Sequence, residues 1–418
     1  MSSFASLHKR LTKAGLSGNM ESEIEAIKQS GDCDEHHLDC LLNPQKQPPV
    51  MRLNACSCTE EERDNCQTSC FFDAIKVGED GNAVIDNENC TGCGDCIGNC
   101  PPGNLTDRKE IVPILNLLNA EDSPVYAMIA PAYIGQFSEQ VSPGKLRTAF
   151  KKLGFAGLIE VALFADILTL KEALEFDSAI QSDKDYMLTS CCCPLWIAMI
   201  KKIYNKLVPH LPPSVSPMAA CGRSIKILYP QAKTVFIGPC IAKKAESRNK
   251  DIADAVDFVL TFEEMQDIFE LAGIVPKEQG EDKRDHSSTA GRIYARTSGV
   301  SEAVKSTVQR LRPNRSIPLK AAHADGVPAC KQLLKNITDG NLSANFIEGM
   351  GCEGGCVGGP KSLLDVEQAT SNVNEYGGGA EYLTPVDNPY VIELLERLGF
   401  NTIDSLTKGD NIFTRKFE

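Results

Sequence analysis

Residues 189–196 read T-S-C-C-C-P-L-W: three consecutive cysteines, then a proline and the only tryptophan of the chain. Three adjacent thiols cannot all pair with one another, because a disulfide needs apposed Cβ atoms at a restricted separation. Iron can use such thiols, since thiolates are the preferred ligands of iron–sulfur clusters. Two more cysteine segments lie far downstream, G-P-C-I-A-K-K-A-E around Cys240 and M-G-C-E-G-G-C-V-G-G-P around Cys352 and Cys356. Together the three segments predict one cluster site assembled from distant loops.

Such loops need a frame. From Ile111 onward, short apolar segments alternate with amphipathic ones. V-Y-A-M-I-A-P-A, A-G-L-I-E-V-A, Y-M-L-T-S, T-V-F-I-G-P, D-F-V-L-T and N-F-I-E-G-M read as strands, with Leu195–Val208 and Phe262–Ala272 among the stretches between them. That order predicts α/β layers with mainly parallel sheets flanked by helices. Four of the strands end at Ala130-Pro131, Thr189-Ser190, Gly238-Pro239 and Gly349-Met350. Ligands in open α/β sheets collect beyond the carboxyl ends of strands, so the cysteine loops are expected to share one crevice.

Residues 1–50 read as a leader, helical at Met20–Ser30 and then irregular where N-P-Q-K-Q-P-P-V breaks regular structure. Residues 51–110 hold Cys56, Cys58, Cys66, Cys70, Cys90, Cys93, Cys96 and Cys100, and form a distinct small α+β segment ahead of the main domain at 111–418. D-N-C-Q-T-S-C-F-F-D-A-I and D-C-I-G-N-C-P-P-G-N-L share cysteine spacing and an apolar ending, which predicts two related halves of one pseudo-twofold module.

The chain has 418 residues, 42% of them hydrophobic, enough for roughly two to three domains. Its N-terminus has no apolar core of signal length, and no apolar run approaches the roughly 20 residues that span a bilayer. Eighteen cysteines in such a chain fit a reducing cytoplasm, where metal binding or redox catalysis is their use. A net charge of −13 and a pI near 5.1 argue against nucleic acid as a partner and leave soluble redox partners open.

Cys90, Cys93, Cys96 and Cys100 form C-x2-C-x2-C-x3-C followed by Pro101. This spacing lets three thiolates hold one cubane while the fourth reaches a neighbouring cluster; zinc is the alternative occupant. The first half is less regular, Cys56-x-Cys58 and then Cys66-x3-Cys70. The whole resembles a bacterial two-cluster ferredoxin with an insertion. That resemblance implies that Cys70 joins Cys90, Cys93 and Cys96, while Cys66 and Cys100 join Cys58 and a fourth ligand: Cys56, or else Cys33 or Cys40. Cys33 and Cys40 flank D-E-H-H-L-D with His36 and His37, either a further metal site or a polar loop.

Taken together, the three downstream motifs resemble the signatures of [FeFe]-hydrogenases, the iron-only hydrogenases, over about residues 111–400. The tripled cysteine resembles a divergent branch of that family. The resemblance implies a two-lobed catalytic domain in which Cys193, Cys240, Cys352 and Cys356 bind the cubane of the H-cluster. Cys356 would also bridge to a diiron subsite carrying CO, cyanide and a dithiolate amine. Lys243 would hydrogen-bond a cyanide, and Ala130 and Pro131 would line the pocket. The last proton donor is the cysteine before the ligand, Cys192 when anchored on Pro194 and Cys191 when anchored on Thr189. Glu172 and Glu175, at i and i+3, match the acidic relay, or else form a solvated helix face. The relay serine is unmatched, with Pro212 at its position, and Gly238 stands where better-known members have methionine.

The implied activity interconverts H2 with two protons and two electrons, in anaerobic hydrogen metabolism. Two [4Fe-4S] clusters would relay electrons to a soluble carrier such as ferredoxin, and maturation proteins would build the diiron subsite. An H2 sensor or a non-catalytic hydrogenase-like iron–sulfur protein are the alternatives on the same scaffold. Cys221 and Cys330 read as small buried side chains, and His210, His286 and His323 lack ligand spacing.

Overall fold

The computed structural model describes residues 2–120, 122–189 and 191–417. Three helices open the chain, Phe4–Leu16, Met20–Ser30 and Glu35–Leu42. Ser3 caps the first by accepting from the Ser6 amide, and Asp34 caps the third by accepting from the His36 and His37 amides. Such caps satisfy N–H groups that have no partner inside the helix. Leu7, Leu11 and Ile27 join Ile111 and Leu115 in the main core cluster, so this leader is packed into the core of the molecule.

The cysteine-rich segment is built from two βαβ halves. The first is β1 (Val50–Arg52), helix Glu60–Ser69 and β2 (Ile75–Val77); the second is β3 (Ala83–Ile85), helix Asp95–Gly98 and β4 (Leu105–Asp107). β1 pairs antiparallel with β4, and β2 with β3. The first strand of each half therefore pairs with the last strand of the other.

The rest of the chain supplies β5 (Val125–Ile129), β6 (Gly157–Glu160), β7 (Met187–Leu188), β8 (Lys233–Gly238), β9 (Phe258–Thr261), β10 (Ala321–Asp325) and β11 (Phe346–Met350). They form two sheets, β6-β5-β8-β9 and β10-β11-β7, with every pairing parallel. Parallel strands are covered on both faces and so read as apolar runs; β11 is buried throughout. Helix Ala162–Ala179 packs on helices Pro217–Leu228 and Gly299–Leu311 and is buried along most of its length. Its hydrophobic residues point in all directions, as expected of a helix with no solvent face. Among the described residues, no helix is long and apolar enough to cross a membrane.

Each of the strand segments read from the sequence contains a strand. β10 has no counterpart among them: A-A-H-A-D has only Ala324 buried and lacks β-branched residues, and its ladder with β11 makes it a strand. The amphipathic stretch Leu195–Val208 is not one helix. Helix Pro194–Lys202 stops, and a 3-10 turn, Asn205–His210, follows with Pro209 inside it. Ser190, the second residue of one strand-end pair, lies outside the described residues; Thr189 is buried.

A buried ion network ties the cysteine-rich segment to the main domain. Lys244 is fully buried and donates to Asp107 and Glu264, each at 2.8 Å, and to the Arg108 carbonyl. Burial works against the Asp107 carboxylate, but Lys244 and Lys109 outweigh it and hold its pKa well below the carboxylate range. Thus β4 is fastened to helices Ala242–Glu246 and Phe262–Leu271. Lys244→Met leaves two buried carboxylates without their shared cation, and the expected cost is about 3–5 kcal/mol, read as a lowered urea midpoint.

Candidate functional site

The carboxyl ends of β5 and β8 in one sheet, and of β7 and β11 in the other, open onto one cavity of about 70 Å³. Ala130 and Pro131 line it after β5, Cys192 and Cys193 after β7. Cys240 and Lys243 line it after β8, Cys352 and Cys356 after β11. Pro194, whose missing N–H costs nothing in a first turn, starts the helix directly after Cys193. The Gly351 amide donates to Cys193 Sγ at 3.2 Å. Gly354 and Gly355 sit at φ of 75° and 86°, a region that other residues rarely adopt. A Cβ on Gly355 would also lie 2.8 Å from the Thr297 amide nitrogen. This tight turn returns Cys356 to the cavity. At Gly238, the last residue of β8, the Phe236 ring fills the space: a Cβ there would meet it at 2.8 Å.

The thiols face one another in a dry place. Burial, then the neighbouring Cys240, Cys193 and Cys356, push the Cys352 thiol far up. Burial with Cys193 and Cys240 pushes Cys356 to about 12, and burial pushes Cys240 to about 11 even beside Lys243. Buried sulfurs this close give up their protons only to a cation that replaces them, which iron does. Among the described residues no group of three or more His, Cys, Asp or Glu is arranged to hold a single metal ion. The donor set thus fits a sulfide-containing cluster. Lys243 Nζ donates to the Cys192 carbonyl at 2.7 Å and to Glu246 Oε2 at 2.5 Å. Burial disfavours its ammonium, yet Glu246 wins and raises its pKa.

Behind Cys192 runs a line of polar groups. Thr189 Oγ1 donates to Glu172 Oε2 at 2.6 Å. Burial lifts the Glu172 carboxyl to about 8, against the Thr189 hydrogen bond. Glu175 is also raised by burial and is paired with Lys171. Neither acid lies on a solvated face: Glu172 is 3% exposed. A serine does reach this line, in the stretch where position alone put Pro212. Ser214 Oγ accepts from Lys171 Nζ at 2.7 Å and donates to Glu175 Oε2 at 3.4 Å. The two candidate thiols point to different places. Cys192 faces the cavity. Cys191 donates to the Pro212 carbonyl at 3.7 Å and borders a surface groove that Glu246 and Arg415 also line.

In the cysteine-rich segment, Cys56, Cys58, Cys66 and Cys100 line one cavity of about 260 Å³, which neither Cys33 nor Cys40 touches. The Cys96 thiol is pushed up by burial and then by Cys93, Cys90 and Cys70, so these four are neighbours. Cys70 in turn affects Cys66, and Cys93 affects Cys352. The three sets therefore stand in file. The Ala83 amide donates to Cys56 Sγ and the Ala74 amide to Cys70 Sγ, each at 3.3 Å. Cys40 is buried with its sulfur 3.7 Å from His36 Nε2. Cys221 and Cys330 are buried, and His210 stacks on Tyr186.

A family profile described as the iron-only hydrogenase large subunit, C-terminal domain, matches residues 123–360. The NADP-reducing hydrogenase subunit HndD of Solidesulfovibrio fructosivorans is 26% identical over 74% of this chain and 63% of its own length. The chain thus spans under two thirds of that relative. The cytosolic iron-sulfur assembly component 3 of Bos taurus is 23% identical over 77% of this chain and 83% of its own. A solved structure of a variant [FeFe]-hydrogenase from Chlamydomonas reinhardtii shares the fold, with a TM-score of 0.56 and 23% identity over 66% of this chain and 89% of that one.

A carboxyl raised on folding keeps its proton longer in the native state, so native stability falls as pH climbs from 4.5 to about 8. Glu172→Gln removes this dependence, and its urea midpoint is expected to gain on that of the parent protein across the same window and then level off. Cys56→Ser is expected to lower bound iron by one cluster, while Cys40→Ser leaves it unchanged, both read by iron analysis of anaerobically purified protein.

Proposed function

Because this chain belongs to the iron-only hydrogenase family, its large-subunit profile covering more than half of the residues, we propose that it is an [FeFe]-hydrogenase interconverting protons, electrons and H2. The observation that carries this reading is the meeting of Cys193, Cys240, Cys352 and Cys356 with Lys243 and Cys192 on one buried cavity. The four thiolates would hold an H-cluster, which supplies the redox chemistry with hydrogen when bound. The cavity walls after β5 and β8 exclude water from it.

Lys243 holds a positive charge at the cavity wall, where an anionic ligand would be stabilised. Cys192 Sγ moves the proton between the cavity and Glu172. Glu172, neutral up to about pH 8, can both give and take a proton near neutrality, as a relay group must. Ser214 and Glu175 continue the line towards the surface. Residues 51–110 would act as the electron-carrying module, with one [4Fe-4S] cluster on Cys56, Cys58, Cys66 and Cys100 and another on Cys70, Cys90, Cys93 and Cys96. Electrons leaving the cavity would pass first to the cluster on Cys70, Cys90, Cys93 and Cys96, then to the one on Cys56, Cys58, Cys66 and Cys100, and on to a soluble carrier such as a ferredoxin, in a reducing cytoplasm, after maturation proteins have built the diiron subsite.

A second reading rests on the match to an iron-sulfur assembly component over comparable length: a cluster-carrying protein without turnover. Lys243 and Cys192 on the cavity favour the enzyme. Infrared spectra of anaerobic, fully matured protein decide, since CO and cyanide stretching bands are expected for the hydrogenase and their absence sinks it. Gas chromatography with a reduced dye then separates an enzyme from a slow sensor. Glu172→Gln and Cys192→Ser are each expected to lower H2 turnover by about 10²–10⁴-fold while leaving those bands in place.

A further inference from the structure

The end of the chain crosses the loop that carries Ser214. The Val215 amide donates to the Phe413 carbonyl at 3.0 Å, the Arg415 amide donates to the Pro213 carbonyl at 3.3 Å, and Ser214 bridges antiparallel to Thr414. Phe413 is fully buried, and Arg223 donates to the Ile412 and Thr414 carbonyls. Residues 411–417 are thus held at several points. It delivers Arg415 into the interior, 6% exposed.

There the guanidinium donates to Asp251 at 2.8 and 3.2 Å and lies 3.7 Å from Glu246 Oε1. Glu246 is buried, its Oε2 takes Lys243 Nζ, and its Oε1 has no hydrogen-bond partner. One carboxylate is thus shared between two cations, Lys243 on the cavity side and Arg415 on the groove side. Without Arg415, all of the Glu246 charge would fall to Lys243 and draw its ammonium away from the cavity. A planar, always-charged guanidinium held by a second acid suits such a fixed position.

We propose that Arg415 is a positioning residue that acts twice: through Glu246 it sets the Lys243 ammonium at the cavity wall, and through the strap Asn411–Phe417 it holds Ser214 on Glu175. What the cavity holds rests on the hydrogenase reading; the two contacts do not.

The test compares Arg415→Gln, Arg415→Lys and Asp251→Asn in the full chain, with Arg310→Gln, an exposed partner of Asp387, as control. Three readouts are used: cyanide stretching bands of matured protein, H2 turnover, and amide exchange at Val215 in protein with and without clusters. Arg415→Gln is expected to lower turnover about tenfold, displace the cyanide bands and speed exchange at Val215. Arg415→Lys should restore the band positions, and Asp251→Asn, which loosens the guanidinium without deleting it, should shift them in the direction of Arg415→Gln. Arg310→Gln should match the parent protein in all three. Unchanged bands and turnover in both Arg415→Gln and Asp251→Asn overturn the proposal. If the parent protein itself lacks cyanide bands, the hydrogenase reading fails, and exchange at Val215 decides alone: faster in Arg415→Gln upholds the strap, unchanged removes it.

Discussion

Sulfur atoms on loops far apart in the chain can meet only if the sheets that launch those loops point at one another. That constraint governs this molecule. Two all-parallel sheets turn their carboxyl ends towards a common cavity, each supplying two loops. In a parallel sheet every strand leaves at the same edge, so direction alone places the loops together. Local chemistry then refines the approach. Glycines close the turn before Cys356, and a proline starts the helix after Cys193. Helix Ala162–Ala179 has no solvent face and carries Lys171 and Glu172 into the interior behind the cavity.

Charge is handled differently on the two sides of that cavity. Around Lys244 every ion has an opposite partner, and the network fixes the cysteine-rich segment against the main domain. Buried pairs of this kind contribute little net stability over an apolar replacement, but losing one partner is costly. Their effect here is geometric, because the same short helix carries Lys244 to the seam and Lys243 to the cavity wall. The buried thiols have no such compensation within the protein. Among the described residues Lys243 is the cation that acts on Cys192, Cys240 and Cys356, and it is already engaged with Glu246. The centre is therefore poised for an added cation-rich group, and burial favours the neutral form of the Glu172 carboxyl behind it.

Much of the frame was legible in the sequence because the signals were local. Apolar runs ending in A-P-A, T-S, G-P and G-M mark strand ends, and cysteines in three of these loops mark a shared crevice. Other features were hidden because they depend on distant contacts. β10 is a strand only through its ladder with β11. Ser214 reaches Glu175 because the loop at Pro212 and Pro213 turns back over Lys171 and is held there by the end of the chain. Spacing could not choose between Cys191 and Cys192, since the two occupy one turn and differ only in the direction each thiol faces. Arg415 carried no signal at all: a lone arginine near a chain end is ordinarily solvated.

Trp196 has a consequence of a different kind. It is fully buried, its indole N–H donates to the Thr189 carbonyl at 2.8 Å, and its ring fills the space over Gly349. It therefore touches the roots of two cysteine loops and lies three residues beyond Cys193. A chain with one indole has a single tryptophan emitter beside its nine tyrosines, and iron–sulfur centres absorb strongly where indole emits. Indole emission, selected by excitation beyond the tyrosine band, accordingly reports on a single place, the root of the cavity, with no label attached.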